Sequence, residues 1–205
     1  MPKLIAICGV PGTGKTTLMR KWMEPRHWRP MKEGLVDCNL SDDHPSGQGL
    51  CVFGRYEEGE IYAGTDKLSM AVMPSAIDYL ENKRATDGVM IFEGDRLTSS
   101  KFFNAALQLG YKVHIIILET SLEIRNARYG ERMSTQNQKF IQGRITKIKN
   151  INEEFGSSLF DDGIVKKFQH HTEEDMDTVI QHIEDLVYDD WIQPDADKTY
   201  HPMGF

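Results

Sequence analysis

Residues 9–17 read GVPGTGKTT and stand between the apolar run LIAIC (4–8) and LMRKWM (18–23), a run that suits a helix. Few folds accept a buried strand that empties into a glycine-rich loop and then a helix. The spacing G-x-x-x-x-G-K-[ST], met by Gly9, Gly14, Lys15 and Thr16, marks that loop as a phosphate cradle at the edge of an open parallel sheet. Glycines let successive backbone N–H groups converge on an anion with no Cβ in the way, and the following helix adds its positive end. The expected nucleotide site is therefore the whole loop: Gly9, Val10, Pro11, Gly12, Thr13, Gly14, Lys15, Thr16 and Thr17. Lys15 is expected at the β/γ-phosphates and the Thr16 hydroxyl at Mg²⁺, with ATP the expected nucleotide, although the spacing does not itself separate ATP from GTP.

The rest of the chain alternates apolar runs with helix-like segments, which predicts a parallel α/β sheet flanked by helices. Buried strands are expected at 3–8, 89–94 and 112–119, with a further one at 163–168. Helices are expected over 16–23, 68–81 with a break or a second start near Met73 because of Pro74, 99–109, two segments between 121 and 155, and 172–191. Between 34 and 65 short β-like runs are separated by turn residues, so a small antiparallel β-hairpin insertion is expected there. Residues 1–190 are expected to form a single P-loop kinase domain, with a helical lid over about 121–150 and a tail at 191–205.

Phosphoryl transfer needs a metal, cations around the transferring group, and a carboxylate to orient the attacking hydroxyl. FEGDR (92–96) places Glu93 and Asp95 at a strand's carboxyl end, where either can serve Mg²⁺; Arg96 is a candidate phosphate contact. The competing role there is capping, by Asp95 or Ser99, of the next helix. GTDKLS (64–69) offers Asp66 either as the acid that orients the hydroxyl or as the cap of the helix expected from Leu68, and Lys67 as a cation, with Asp37 and Asp95 as rivals to Asp66. Arg125, Arg128 and Arg132 share one helical face, Gly130 provides a candidate hinge, and the three suit a lid closing over phosphates. The catalytic set expected from sequence is Lys15, Asp66, Glu93, Asp95, Arg128 and Arg132. His170 and His171 are taken as surface residues.

The chain carries 24 Lys and Arg against 31 Asp and Glu, but ten of the acids fall within 173–197, where no Lys or Arg occurs. Up to residue 172 there are 23 basic against 21 acidic side chains, and two stretches lean basic, Arg20–Lys32 and Lys139–Lys149. The first interleaves Trp22, His27 and Trp28, and with Tyr62 it offers surfaces on which bases stack. A nucleic-acid partner is therefore permitted. Cys8, Cys38 and Cys51 lack metal-site spacing and are expected as reduced thiols. With no long apolar stretch and no signal pattern before the loop, a soluble, cytoplasmic protein with no membrane partner is expected. Oligomeric state is not legible.

The blocks GVPGTGKTTLMRKWM, GRYEEGEIYAGTDKLSMAV, IFEGDRL and FIQGRITKIKNI together resemble phage P-loop kinases, the 5-hydroxymethyluracil DNA kinases of thymine hypermodification. The resemblance spans most of residues 3–150, and YEEGEIYAGTD and EGDRL are its specific parts. It implies ATP-dependent phosphorylation of the hydroxymethyl group of 5-hydroxymethyluracil in DNA, within the host cytoplasm. It also implies Gly9–Thr16 as the nucleotide loop and Asp66 and Asp95 as active-site acids. The alternatives are a nucleoside or nucleoside monophosphate kinase and a regulatory P-loop NTPase.

Overall fold

The computed structural model describes residues 1–43, 49–57, 59–60, 63–83, 87–131, 138–156 and 164–188. Among them seven strands form one sheet: β1 (Lys3–Cys8), β2 (Arg29–Glu33), β3 (Val36–Ser41), β4 (Gly49–Phe53), β5 (Asp87–Glu93), β6 (Lys112–Glu119) and β7 (Val165–Gln169). Their order is β2-β3-β4-β5-β1-β6-β7, and every pairing from β4 to β7 is parallel. The helices are α1 (Lys15–Met23), α2 (Val72–Lys83), α3 (Ser100–Gln108), α4 (Leu122–Glu131), α5 (Gln138–Gly156) and α6 (Glu173–Tyr188). A mostly parallel sheet flanked by helices is the expected P-loop kinase-like architecture.

The central strand β1 is buried along its whole length, as an apolar run between two parallel neighbours must be. Its period of two feeds both faces of the sheet. Leu4, Ala6 and Cys8 join the layer with Ala76, Phe102, Phe103, Ile151 and Phe155. Ile5 and Ile7 join the layer with Leu18, Met19, Trp22, Val179 and Ile183. The first layer is closed by α2, α3 and α5, the second by α1 and α6.

The antiparallel pairing expected within 34–65 is present as β2-β3-β4, but it starts earlier, at Arg29, and is continuous with the main sheet through the parallel β4–β5 pair. It extends the platform instead of standing apart from it. Of the two outcomes expected at Pro74 the second start is the one present: α2 begins at Val72 with Pro74 in its first turn, where its missing N–H leaves no intrahelical bond unmade. Helix α4 likewise runs through Gly130. Acidic α6 opens on a reciprocal cap: Thr172 Oγ1 accepts from the Asp175 N–H at 3.1 Å, and Asp175 Oδ2 accepts from the Thr172 N–H at 2.9 Å. All three cysteines are buried free thiols. Among the described residues no helix is long and apolar enough to cross a membrane.

Candidate active site

The loop between β1 and α1 turns through Gly9, Gly12 and Gly14, all at positive φ (150°, 82° and 89°). A Cβ on Gly9 would lie 2.8 Å from the Leu118 carbonyl oxygen, so this position tolerates no side chain without a shift of β6. Gly14 is the left-handed N-cap of α1 and makes no side-chain cap to the first N–H groups. Thr13 is fully buried and its hydroxyl donates to the Val10 carbonyl at 3.0 Å, which ties the loop to itself. Lys15 folds back over this ring, its Nζ donating to the carbonyls of Gly9 at 3.0 Å and Val10 at 3.3 Å. Thr17 is exposed.

Glu93, the last residue of β5, reaches the loop. Its Oε1 accepts a 2.9 Å hydrogen bond from the Thr16 hydroxyl, joining residues 77 apart in sequence. The side chain is 1% exposed, and burial pushes its pKa up to about 7 against the opposing pull of Lys15 and the Thr16 hydrogen bond. A hydroxyl and a carboxylate oxygen this close, at the N-terminus of the loop helix, form a donor set suited to a hard cation such as Mg²⁺.

The segment after β4 lies across the end of β5. Arg55 and Gly64 exchange backbone hydrogen bonds, and a 3-10 turn over Thr65–Lys67 follows. Thr65 Oγ1 donates to the Glu93 carbonyl at 2.9 Å, and Asp66 Oδ1 accepts the Asp95 N–H at 2.7 Å. Gly64, at φ 68°, is the close approach: a Cβ there would stand 2.5 Å from Glu93 Oε1. Asp66 is exposed and lies near enough to Glu93 for its charge to raise that carboxyl's pKa further. Asp66 and Glu93 thus converge beside the loop.

Asp95, expected with Glu93 at the metal, turns elsewhere. Its two carboxylate oxygens meet α5, Oδ2 with Arg144 at 2.7 Å and Oδ1 with Lys147 at 3.0 Å. Lys147 also donates to the Asp95 carbonyl at 2.9 Å. Gly94 lies between the two acids at φ 106°, which turns the chain out of the strand and ends the alternation, and Glu93 is the one bonded to Thr16. Helix capping falls to Ser99, whose side chain accepts from the Phe102 N–H.

Arg128 of α4, expected in a lid, donates from Nη1 to the Gly12 carbonyl at 3.0 Å and so touches the loop itself. Arg132, Tyr62 and the tail 191–205 lie outside the described residues. His170, taken from sequence as a surface residue, is 1% exposed. Its Nδ1 lies 2.6 Å from the Thr13 carbonyl, which assigns the proton to Nδ1, and its ring occupies the space a Cβ on Gly14 would need. Burial lowers its pKa, so the ring packs against the loop as neutral imidazole. No spacing in the sequence signals this; the only clue is that His170 follows a strand whose neighbour, β6, borders β1.

Other expected contacts are committed elsewhere. Arg96 Nε donates to the Leu68 carbonyl at 3.4 Å, Lys67 pairs with Glu60 at 2.7 Å, and Asp37 is held by Arg55 at 2.9 Å. The basic stretch 20–32 does not form a free track. Arg20 donates to the carbonyls of Glu57 and Glu60, Lys21 pairs with Asp177, Arg26 with Glu184, Arg29 with Asp42 and Lys32 with Asp37. Two of these partners belong to α6, so part of its acidity answers Lys21 of α1 and Arg26 just beyond it. Trp22 is 1% exposed under the Arg26 guanidinium and unavailable for stacking on a base. Beside Val10, a cavity of about 630 Å³ opens between the ends of β6 and β7 and helices α4 and α5, with Ile117, Ile145, Ile148, Arg125 and Lys149 in its walls.

The family described as P-loop Nucleotide Kinase3 matches residues 1–185. No curated protein matches the sequence. Among solved structures, an unliganded sugar kinase from Janibacter sp. HTCC2649 is similar at 11% identity and a TM-score of 0.48, over 90% of this chain and 95% of that one. A gluconokinase from Sinorhizobium meliloti 1021 is similar at 9% identity and a TM-score of 0.46, over 93% and 98%. Neither likeness is close enough to bear on substrate.

Proposed function

The chain belongs to the P-loop Nucleotide Kinase3 family, and from that premise we propose that it transfers the γ-phosphate of ATP to the hydroxymethyl group of 5-hydroxymethyluracil in phage DNA. The observation that supports this most is that the two blocks carrying the sequence resemblance, GTD and EGD, are in direct contact beside Lys15 and Thr16. Thr16 and Glu93 would hold Mg²⁺, which needs one or two protein oxygens and takes the rest from phosphates and water. The bound cation neutralises charge that develops on the transferring phosphoryl group. Lys15 exchanges its two loop carbonyls for phosphate oxygens, and Arg128 brings a second cation over the loop. The exposed Asp66 carboxylate, anchored through Oδ1 by the Asp95 N–H, keeps Oδ2 to accept the substrate's hydroxyl proton and aim its oxygen. The cavity beside Val10 receives the base of ATP between its isoleucines. A target base within a duplex has to be turned out of the stack, at a cost of a few kcal/mol.

A second reading, phosphorylation of free nucleosides or nucleotides, is favoured by the pairing of the basic residues of 20–32 with acids and carbonyls. One assay separates the two. Labelled ATP is supplied with 5-hydroxymethyluracil DNA, thymine DNA and the matching free nucleotides, with Lys15→Ala as control. Label is expected in the modified DNA alone. Label confined to free nucleotides selects the second reading, and ATP turnover that needs no acceptor rejects both.

A further inference from the structure

A second cavity, of about 400 Å³, lies between α1 and the segment that follows β4, with Arg20, Met23, Arg26, Trp28, Tyr56 and Glu57 in its walls. Resting on the acceptor chemistry above, we propose that this cavity is the acceptor-base site, taking an uncharged pyrimidine ring against Trp28 and Tyr56. Its size lies within the range of small-molecule sites, about 300–1,000 Å³.

Charge narrows the ligand. The two guanidinium groups in the wall are spent on protein: Arg20 on the carbonyls of Glu57 and Glu60, Arg26 on Glu184 and on the Trp22 ring at 4.3 Å. Glu24 and Glu57 stand at the same opening. A phosphate would find carboxylates and no uncommitted guanidinium there, whereas a neutral heterocycle finds aromatic faces. Trp28 is held in orientation by its Nε1, which donates to the Met23 carbonyl at 2.8 Å, so its ring is fixed before any ligand arrives.

The Tyr56 hydroxyl is buried and has no hydrogen-bond partner among the described residues. Leaving such a group unsatisfied is costly, and a pyrimidine carbonyl is an acceptor of the kind it lacks. Tyr56 also lies close enough to Glu93 and Asp66 for their charges to act on its hydroxyl. It therefore joins the cavity to the carboxylates that aim the substrate alcohol. A base lodged here places an exocyclic hydroxymethyl group toward Asp66.

The test uses two fluorescein-labelled single-stranded oligonucleotides, identical except that one carries a single 5-hydroxymethyluracil and the other an abasic site at the same position. Fluorescence anisotropy without ATP is expected to show the modified strand bound about tenfold more tightly by the wild-type protein, the scale of one stacked base. Tyr56→Phe and Trp28→Ala are each expected to reduce that ratio toward one while leaving abasic affinity unchanged, which also reports that the variants are folded. A wild-type ratio of one, absence of binding, or variants that keep the ratio overturns the site. Phosphate transfer to the modified strand is measured in parallel: transfer with an unchanged KM in both variants rejects this cavity and leaves the proposed reaction standing. Absence of transfer together with an intact binding ratio rejects the reaction alone.

Discussion

Glu93→Gln is expected to abolish phosphoryl transfer and, without nucleotide, to make the protein more stable at pH 8 and hardly more stable at pH 5. The carboxyl is buried, and burial carries its pKa from 4.5 to about 7. Between those values the unfolded chain releases this proton while the folded chain retains it, so stability falls as pH rises through the window and levels off above 7. At about 1.4 kcal/mol for each tenfold change in proton affinity, the ionised carboxylate costs the folded state about 3 kcal/mol at pH 8 and under about 1 kcal/mol at pH 5. Glutamine stays neutral and its amide oxygen can still accept the Thr16 hydroxyl. For a domain of this size each kcal/mol moves Tm by about 2–4 °C, so a rise of roughly 6–12 °C is expected at pH 8. Melting curves in EDTA, followed by circular dichroism at the two pH values, read this directly. A variant whose advantage is the same at both pH values, or which is less stable at pH 8, refutes the argument that Glu93 is held against its own ionisation.

Asp66→Asn is expected to lower kcat by about a hundredfold or more with little change in ATP affinity, since loss of a positioned base costs about 10²–10⁴-fold; full activity moves the role to another acid. Gly64→Ala combines a φ of 68° with a Cβ 2.5 Å from Glu93 Oε1, and denaturant titration is expected to show a loss of about 2 kcal/mol or more. A neutral result there would mean that the turn is not pressed against Glu93. Arg128→Ala removes the contact with the Gly12 carbonyl and is expected to raise KM for ATP by about tenfold, as for one charged hydrogen bond; a change confined to the acceptor's KM contradicts that placement.

The loop, the central strands and the parallel architecture are legible in the sequence because their cause is local. Glycine at three left-handed positions, an unbroken apolar run and a lysine at the helix start need no distant partner. The choice between Glu93 and Asp95 is not local. It depends on the turn at Gly94, which takes the chain out of the strand, and on Arg144 and Lys147, some fifty residues on, drawing Asp95 away. Strand β2 is hard to see because RPMKE is a mostly exposed edge without apolar alternation. The acidity of α6 looks like an appendage until Lys21 and Arg26 are found against Asp177 and Glu184. His170 is invisible to spacing because its partner, Thr13, lies 157 residues away and is joined to it only by the order of strands.

The Thr16 hydroxyl and the Glu93 carboxylate are expected to receive together the cation of a nucleotide held by residues 9–17. Anomalous scattering from crystals grown with Mn²⁺ and a non-hydrolysable ATP analogue tests it most directly. One manganese peak is expected beside Thr16 and Glu93, with the phosphates lying along the glycine loop. A peak at Asp95, or a nucleotide bound away from the loop, would contradict it.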